Sequence, residues 1–393
     1  MSELAPFSPI AQPGALTRAS LGQPCADRMQ SLCHALGVGA PEQSNGVKLG
    51  ETSRIRAPLL RDCGDLRVVL GNWGKVNEAG NWNLITVKVG LEMPNGEVLP
   101  VNFGGRESAG IEKGRYVASD VLGADGGAGE AIWIRTYVSV AAEGLKWPLS
   151  LTLNKAIGEG VTTGNTDKSQ GSSEVPPSEG TCYSPVLLLA SSPARPVAVV
   201  GFHGDSIIAG NADAVIDNGW ARRALVPRGI AYVDCSKGGG KIETSSQYVA
   251  SEGRMQLAGF ASCAIEAYGV NDFLAGRTFA QIRSDKERLW HRLLERGQKV
   301  FATTVTPVAT STDGFTTTKN QTTNANNVAR AQLNEWLRGG PSELSGLIDT
   351  AAAVEFNVGS GLWVPLMTGE GIHPLPAGHE AMALKVNAAA FSV

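Results

Sequence analysis

Two short motifs in this chain carry the residue types that acyl transfer needs. Gly204-Asp205-Ser206-Ile207 places a hydroxyl just past an apolar run, and Glu370-Gly371-Ile372-His373-Pro374 places an imidazole after a carboxylate. A serine alone is a poor nucleophile. A base that takes its proton, and donors that hold the oxyanion formed on the attacked carbonyl, turn it into a catalyst. Candidate donors lie between the two motifs, in the run Gly238-Gly239-Gly240 and the tetrad Gly269-Val270-Asn271-Asp272.

Each motif also has a plainer reading. A serine in a strand–helix turn is often only an N-cap, and both glycine motifs are also ordinary turns. The histidines discriminate. Of the five, His34 lies in the amino-terminal arm, His291 sits among charged residues of a helical stretch, and His379 falls inside the last helix. His373 stands in a loop with Glu370 three residues before it, placed to bond the far ring nitrogen and fix the tautomer. His203 precedes the serine turn and is a candidate for lining the site, with Asp272 as a second candidate substrate contact. Gly238-Gly239-Gly240-Lys241 lacks the spacing of a phosphate-binding loop.

These residues need a frame that brings them together. From about residue 185 the pattern alternates between apolar strands and helices. Strands are expected at Val197–Phe202, Ile230–Cys235, Ala261–Tyr268, Val300–Thr306 and Leu347–Asp349. Helical faces are read from Phe279 to near Gly297, from Val328 to Leu337, and from Ala377 to Ala390. Continuous apolar strands suit a parallel sheet covered on both sides, with chemistry at the carboxyl ends of its strands. Residues 55–156 instead read as all-β, with short strands at Leu66–Leu70 and Leu84–Val89, a hairpin signal at Asn95-Gly96, and clean alternation over Ala131–Val140. A β-sandwich of jelly-roll type is expected there. Trp133 and Tyr137 on its outer register suit either a sugar or, as the preferred reading, packing within the protein. Residues 1–54 read as an irregular arm with one short helix at Asp27–Leu36, 157–184 as a linker or long loop, and 185–393 as the α/β domain.

Composition bounds the partners. The 393 residues are 42% hydrophobic and 18% charged, with a net charge of -3. Nothing basic points to nucleic acid or an anionic membrane, and no apolar run approaches the ~18 residues of a membrane span. The beginning, Met1-Ser2-Glu3-Leu4-Ala5-Pro6, lacks the basic and apolar regions of a secretory leader. A cytoplasmic location is the expectation, or an extracellular or periplasmic one if a leader has been removed. The six cysteines show no CxxC spacing, so neither a zinc site nor any other metal or cofactor is expected. Cys235 and Cys263 are expected as buried thiols.

The ordered set Gly-Asp-Ser, glycine, Gly-x-Asn-Asp and carboxylate-x-x-His resembles the SGNH hydrolase, or GDSL esterase/lipase, family over about residues 195–390. The resemblance implies a flavodoxin-like three-layer α/β/α domain. It implies Ser206 as nucleophile and His373 as base, and an oxyanion hole formed by Ser206, Asn271 and either Gly239 or Gly240. It makes Asp205 a bracing residue. The family usually has Asp where this chain has Glu370, so the longer arm must fold back to reach the imidazole, or a backbone carbonyl or Asp349 must orient it. A β-sandwich before such a domain is similar to the layout of some carbohydrate esterases. The expected substrate is a small-molecule or carbohydrate ester, and the expected reaction is deacetylation of a carbohydrate. A short-chain lipase, a thioesterase, a sugar O-acyltransferase and a catalytically retired glycan-binding protein are the alternatives.

Overall fold

The computed structural model describes residues 30–31, 42–72, 83–149, 151–191, 198–213, 218–247 and 252–391. The alternating apolar runs of the amino-terminal half form two antiparallel sheets. The first contains β1 (Gly50–Pro58), β3 (Ile85–Glu92), β4 (Val98–Val101), β5 (Ala109–Ile111), β7 (Ala131–Ser139) and β8 (Gly160–Thr163), in the order β8-β1-β7-β3-β4, with β5 also on β3. The second contains β2 (Gly64–Gly71), β6 (Tyr116–Ala118) and β9 (Leu187–Ser191), with β9 and β6 flanking β2. The Asn95-Gly96 turn joins β3 to β4, Gly96 taking a φ of 85° and donating to the Met93 carbonyl. Ile132, Ile134 and Val138 of β7 are buried in the core between the sheets, as their period of two requires.

Two expectations change here. The segment 157–184 is not a simple connector, because β8 pairs with β1 along four residues and Thr181–Cys182 pairs with Leu151–Thr152. Leu187–Ser191 likewise belongs to the sandwich, paired antiparallel with β2. The short helix expected at Asp27–Leu36 lies largely outside the described residues, and its two described residues, Gln30 and Ser31, pair as a strand with Ala190 and Leu189.

The second sheet faces two cores at once. Leu66, Val68 and Leu70 of β2 and Leu188 and Ala190 of β9 point into the sandwich. Val69, Leu187 and Leu189 point the other way, into the core of the carboxyl-terminal domain. Alternation along each strand thus joins the two domains through buried apolar contact, reinforced by the Arg61 guanidinium donating to the Gly229 carbonyl at 2.8 Å.

The carboxyl-terminal domain is a five-stranded parallel sheet of β10 (Val199–Gly204), β11 (Ala231–Asp234), β12 (Cys263–Ala267), β13 (Lys299–Thr303) and β16 (Gly346–Ile348). The strand order is β11-β10-β12-β13-β16, which is the 2-1-3-4-5 order of flavodoxin-like folds. Helices α2 (Trp220–Leu225), α8 (Ala351–Val354) and α9 (Pro376–Ala383) pack together as one group. Helices α3 (Ile242–Ser245), α6 (Phe279–Leu294) and α7 (Asn327–Arg338) form the other. A Thr278–Gln281 capping box starts α6, and Trp290 stacks on Trp336 of α7 with ring centroids 5.4 Å apart. Cys235 and Cys263 are buried thiols in this domain. Among the described residues no helix is long and apolar enough to cross a membrane. In a 2-1-3-4-5 sheet the order reverses between the first and third strands, here β10 and β12, and the crevice outside their carboxyl ends is where such sheets bind ligands.

Candidate active site

Ser206, His373, Glu370 and Asn271 come together at that end of the sheet. β10 runs straight into helix α1 (Ser206–Ala209), whose N-cap is Asp205. The Asp205 carboxylate accepts the Ile207 N–H at 2.9 Å, so the turn places Ser206 at the first helical position. A helix's first N–H groups have no intrahelical acceptor, and the Ser206 amide is one of them. Two residues past β12, Gly269 starts helix α5 (Val270–Leu274) with φ 141°. A Cβ there would stand 2.6 Å from Val305, so only glycine lets the chain turn this close to the neighbouring strand end. The turn delivers Asn271 beside Asp205.

Ser206 Oγ lies 2.7 Å from His373 Nε2. His373 Nδ1 lies 3.0 Å from Glu370 Oε1, and the same oxygen accepts the Ile372 N–H at 3.1 Å and the His373 backbone N–H. The longer glutamate arm therefore does fold back, drawn in by two amides of its own loop. Ser206 is only 7% exposed, whereas the Glu370 side chain is half exposed. Asp349 is engaged elsewhere, in a two-point ion pair with Arg338 and a bond from Thr304.

Asn271 Nδ2 donates to the Gly240 carbonyl at 3.1 Å and approaches Asp205 Oδ2 at 3.3 Å. The Gly240 N–H is already given to the Lys237 carbonyl at 2.8 Å, closing a turn in which Gly239 takes φ 66°. Asp205 is fully buried. Burial pushes its carboxyl up to about 7, aided by Asp272 and Glu266 and opposed by the Ile207 N–H and Lys286. Beneath the β12 end, Glu266 and Lys286 form an ion pair at 2.7 Å with both side chains wholly inside the protein.

The structure corrects two candidates. His203 lies within β10 and is buried, and burial followed by Arg254, Arg292 and Arg296 pushes its imidazole down to about 3. It is a neutral interior histidine. Asp272 is buried as well, its carboxylate accepting the Ile242 and Glu243 N–H groups at the start of α3. It braces one loop against another and does not face the crevice. The polar stretch holding Asn320, Gln321 and Asn324 runs through a hairpin of β14 (Ala309–Ser311) and β15 (Gln321–Thr323). Gln321 is buried, and its amide bonds both backbone groups of Trp363. In the β domain, the Arg54 guanidinium covers the Trp133 ring at 3.5 Å and the Tyr137 hydroxyl donates to the Asn165 carbonyl, so both aromatics pack within the protein.

Sequence reasoning missed the residues that hold the His373 loop. Thr368 is buried and its hydroxyl donates to the His373 carbonyl at 2.8 Å. Its one sequence sign is a threonine in a loop rich in glycine, a residue type that bonds nearby backbone. Ile207, Trp220, Val270, Val305, Thr306 and Met382 line a small cleft flanked by the segments that carry Ser206 and Asn271.

Residues 202–381 match the model of the GDSL-like lipase/acylhydrolase family. Similar solved structures include a member of the lipolytic G-D-S-L family from Veillonella parvula, at 16% identity over 48% of this chain and 94% of that one, TM-score 0.36. A Bacillus subtilis protein is similar at 14% identity over 96% of this chain and 94% of its own, TM-score 0.39. A carbohydrate esterase of family 3 from Talaromyces cellulolyticus is similar at 13% identity over 48% of this chain and 93% of its own, TM-score 0.34. No curated protein matches.

Proposed function

Given that the carboxyl-terminal half of this chain is a GDSL-like lipase/acylhydrolase domain and the chain an ester hydrolase, we propose that Ser206, His373 and Glu370 carry the reaction. The observation behind this reading is the 2.7 Å contact between Ser206 Oγ and His373 Nε2 at the reversal of strand order. His373 takes the hydroxyl proton as Oγ attacks the ester carbonyl. The tetrahedral oxyanion is held by the Ser206 amide, the Gly239 amide and Asn271 Nδ2, which gives up its long 3.3 Å contact with Asp205 to do so. Gly239 is preferred to Gly240 because the Gly240 N–H is committed to Lys237. His373 returns its proton to the leaving alcohol, then draws a proton from water as that water attacks the acyl-enzyme, and the acid leaves with Ser206 restored. Glu370 keeps the Nδ1 proton in place through the cycle.

The proposed acyl group is short, acetyl first. Trp220, Val305 and Met382 crowd the small cleft next to Ile207 and Val270, the chain neighbours of Ser206 and Asn271, and leave little room for a long acyl chain. The proposed alcohol is a carbohydrate, by similarity to carbohydrate esterases that carry a β domain ahead of the hydrolase. The test compares p-nitrophenyl acetate, butyrate and octanoate, with an acetylated xylo-oligosaccharide as the glycan ester. Rates falling with chain length, and acetate released from the oligosaccharide, are expected. A rate that rises toward octanoate would contradict the short-acyl reading, and an untouched oligosaccharide would contradict the glycan.

A further inference from the structure

Glu370 and His373 sit on a loop closed at its base by a bridge between Thr368 and Pro374 and by the Leu375 N–H donating to the Met367 carbonyl at 2.8 Å. The Glu370 contact alone is a weak restraint, because the Glu370 side chain is half exposed and water competes for its hydrogen bonds. Backbone contacts do more. Gly371 takes φ 88°, and a Cβ there would stand 1.8 Å from the Ala309 carbonyl oxygen, so the loop lies flush against the β14–β15 hairpin. The Gly371 carbonyl accepts the Ala309 N–H at 3.1 Å and Trp363 Nε1 at 3.0 Å. Trp363 is in turn gripped by Gln321 of the same hairpin. One side of the loop is thus fixed at Gly371.

At His373 itself, Glu370 accepts the backbone N–H and a buried hydroxyl holds the carbonyl. The Thr368 hydroxyl donates to the His373 carbonyl at 2.8 Å and accepts the Gly371 N–H at 3.0 Å. A hydroxyl is the smallest side-chain group that can do both at once. We propose that Thr368 is a positioning residue that latches the His373 backbone to the fixed Gly371 edge and so sets the distance from Nε2 to Ser206 Oγ. This rests on the reading of His373 as the base.

The test is steady-state hydrolysis of p-nitrophenyl acetate by the full chain and its Thr368→Val and Thr368→Ser variants, with Ser206→Ala alongside and melting temperatures recorded. Valine keeps the shape and removes the hydroxyl. A displacement of about 1 Å at a reacting group costs on the order of 100-fold, so kcat is expected to fall about 10- to 100-fold in Thr368→Val while KM stays within about twofold. Thr368→Ser should recover most of kcat. If Thr368→Val melts earlier yet keeps its kcat, or if Thr368→Ser is as slow as Thr368→Val, Thr368 is only structural and the proposal is overturned. If Ser206→Ala turns over like the unmodified protein, the site reading fails first and the latch falls with it, so the two failures are distinguishable.

Discussion

Asp205 holds the start of the Ser206 helix with one carboxylate oxygen and stands 3.3 Å from the Asn271 amide with the other. One buried side chain therefore sets the relative position of the candidate nucleophile and a candidate oxyanion donor. The two follow strands that are neighbours in space, and Asp205 and Asn271 are 66 residues apart in sequence.

That placement has a pH signature. The carboxyl is raised from 3.8 to about 7, mainly by burial. Between those values the folded protein keeps a proton that the unfolded chain has released. Stability from this group is fully present below 3.8 and is lost as pH rises through about 7, at up to about 1.4 kcal/mol per pH unit. Asp205→Asn keeps an oxygen for the helix cap and cannot titrate. In urea titrations at pH 4.5 and 7, the variant is expected to lose less stability than the unmodified protein on going to the higher pH. Parallel losses would contradict the assignment.

Lys286→Met tests the support under β12. Glu266 accepts bonds from Lys286, the Tyr268 N–H and Trp290 Nε1, all inside the protein. Removing the ammonium leaves a buried carboxylate without its counter-charge, which typically costs about 3–5 kcal/mol. An unfolding free energy lowered by that amount is expected in a denaturant titration. A loss under about 1 kcal/mol would mean that water or another cation replaces Lys286 there.

Glu370→Gln separates orientation from charge. The amide oxygen can still accept from the Ile372 and His373 N–H groups, so the loop shape survives, while the charge that favours the imidazolium is lost. Because the Glu370 side chain is half exposed, water screens that charge. A kcat loss of about tenfold is expected, well short of the loss in His373→Ala. Equal losses in the two variants would show that the charge itself is indispensable.

Much of the carboxyl-terminal domain was legible because its strands are continuous apolar runs and its chemistry-bearing residues follow them. Ser206 and Asn271 could be placed at strand ends from that pattern alone, and the family match covers the same span. The β9 strand was misplaced for the same reason. Leu187–Ala190 is apolar throughout, and its membership in the sandwich depends on pairing with β2 more than 100 residues earlier, which no local pattern records. Strand β8, Gly160–Thr163, is short and lies among glycines and serines, so it read as connector. His203 looked functional because it precedes the serine turn, but it belongs to a strand buried along its whole length. Gly240 and Gly239 were indistinguishable as letters. The bond from the Gly240 N–H to Lys237 separates them, and that is a property of the turn. Thr368 was invisible because its role is a contact to backbone.

The most direct measurement is hydrolysis of p-nitrophenyl acetate by the unmodified protein and by Ser206→Ala, with a fluorophosphonate label followed by mass spectrometry. The account predicts that Ser206→Ala loses at least about three orders of magnitude in kcat, and that the label adds once, at Ser206. Undiminished turnover in Ser206→Ala, or a label on another residue, would contradict it.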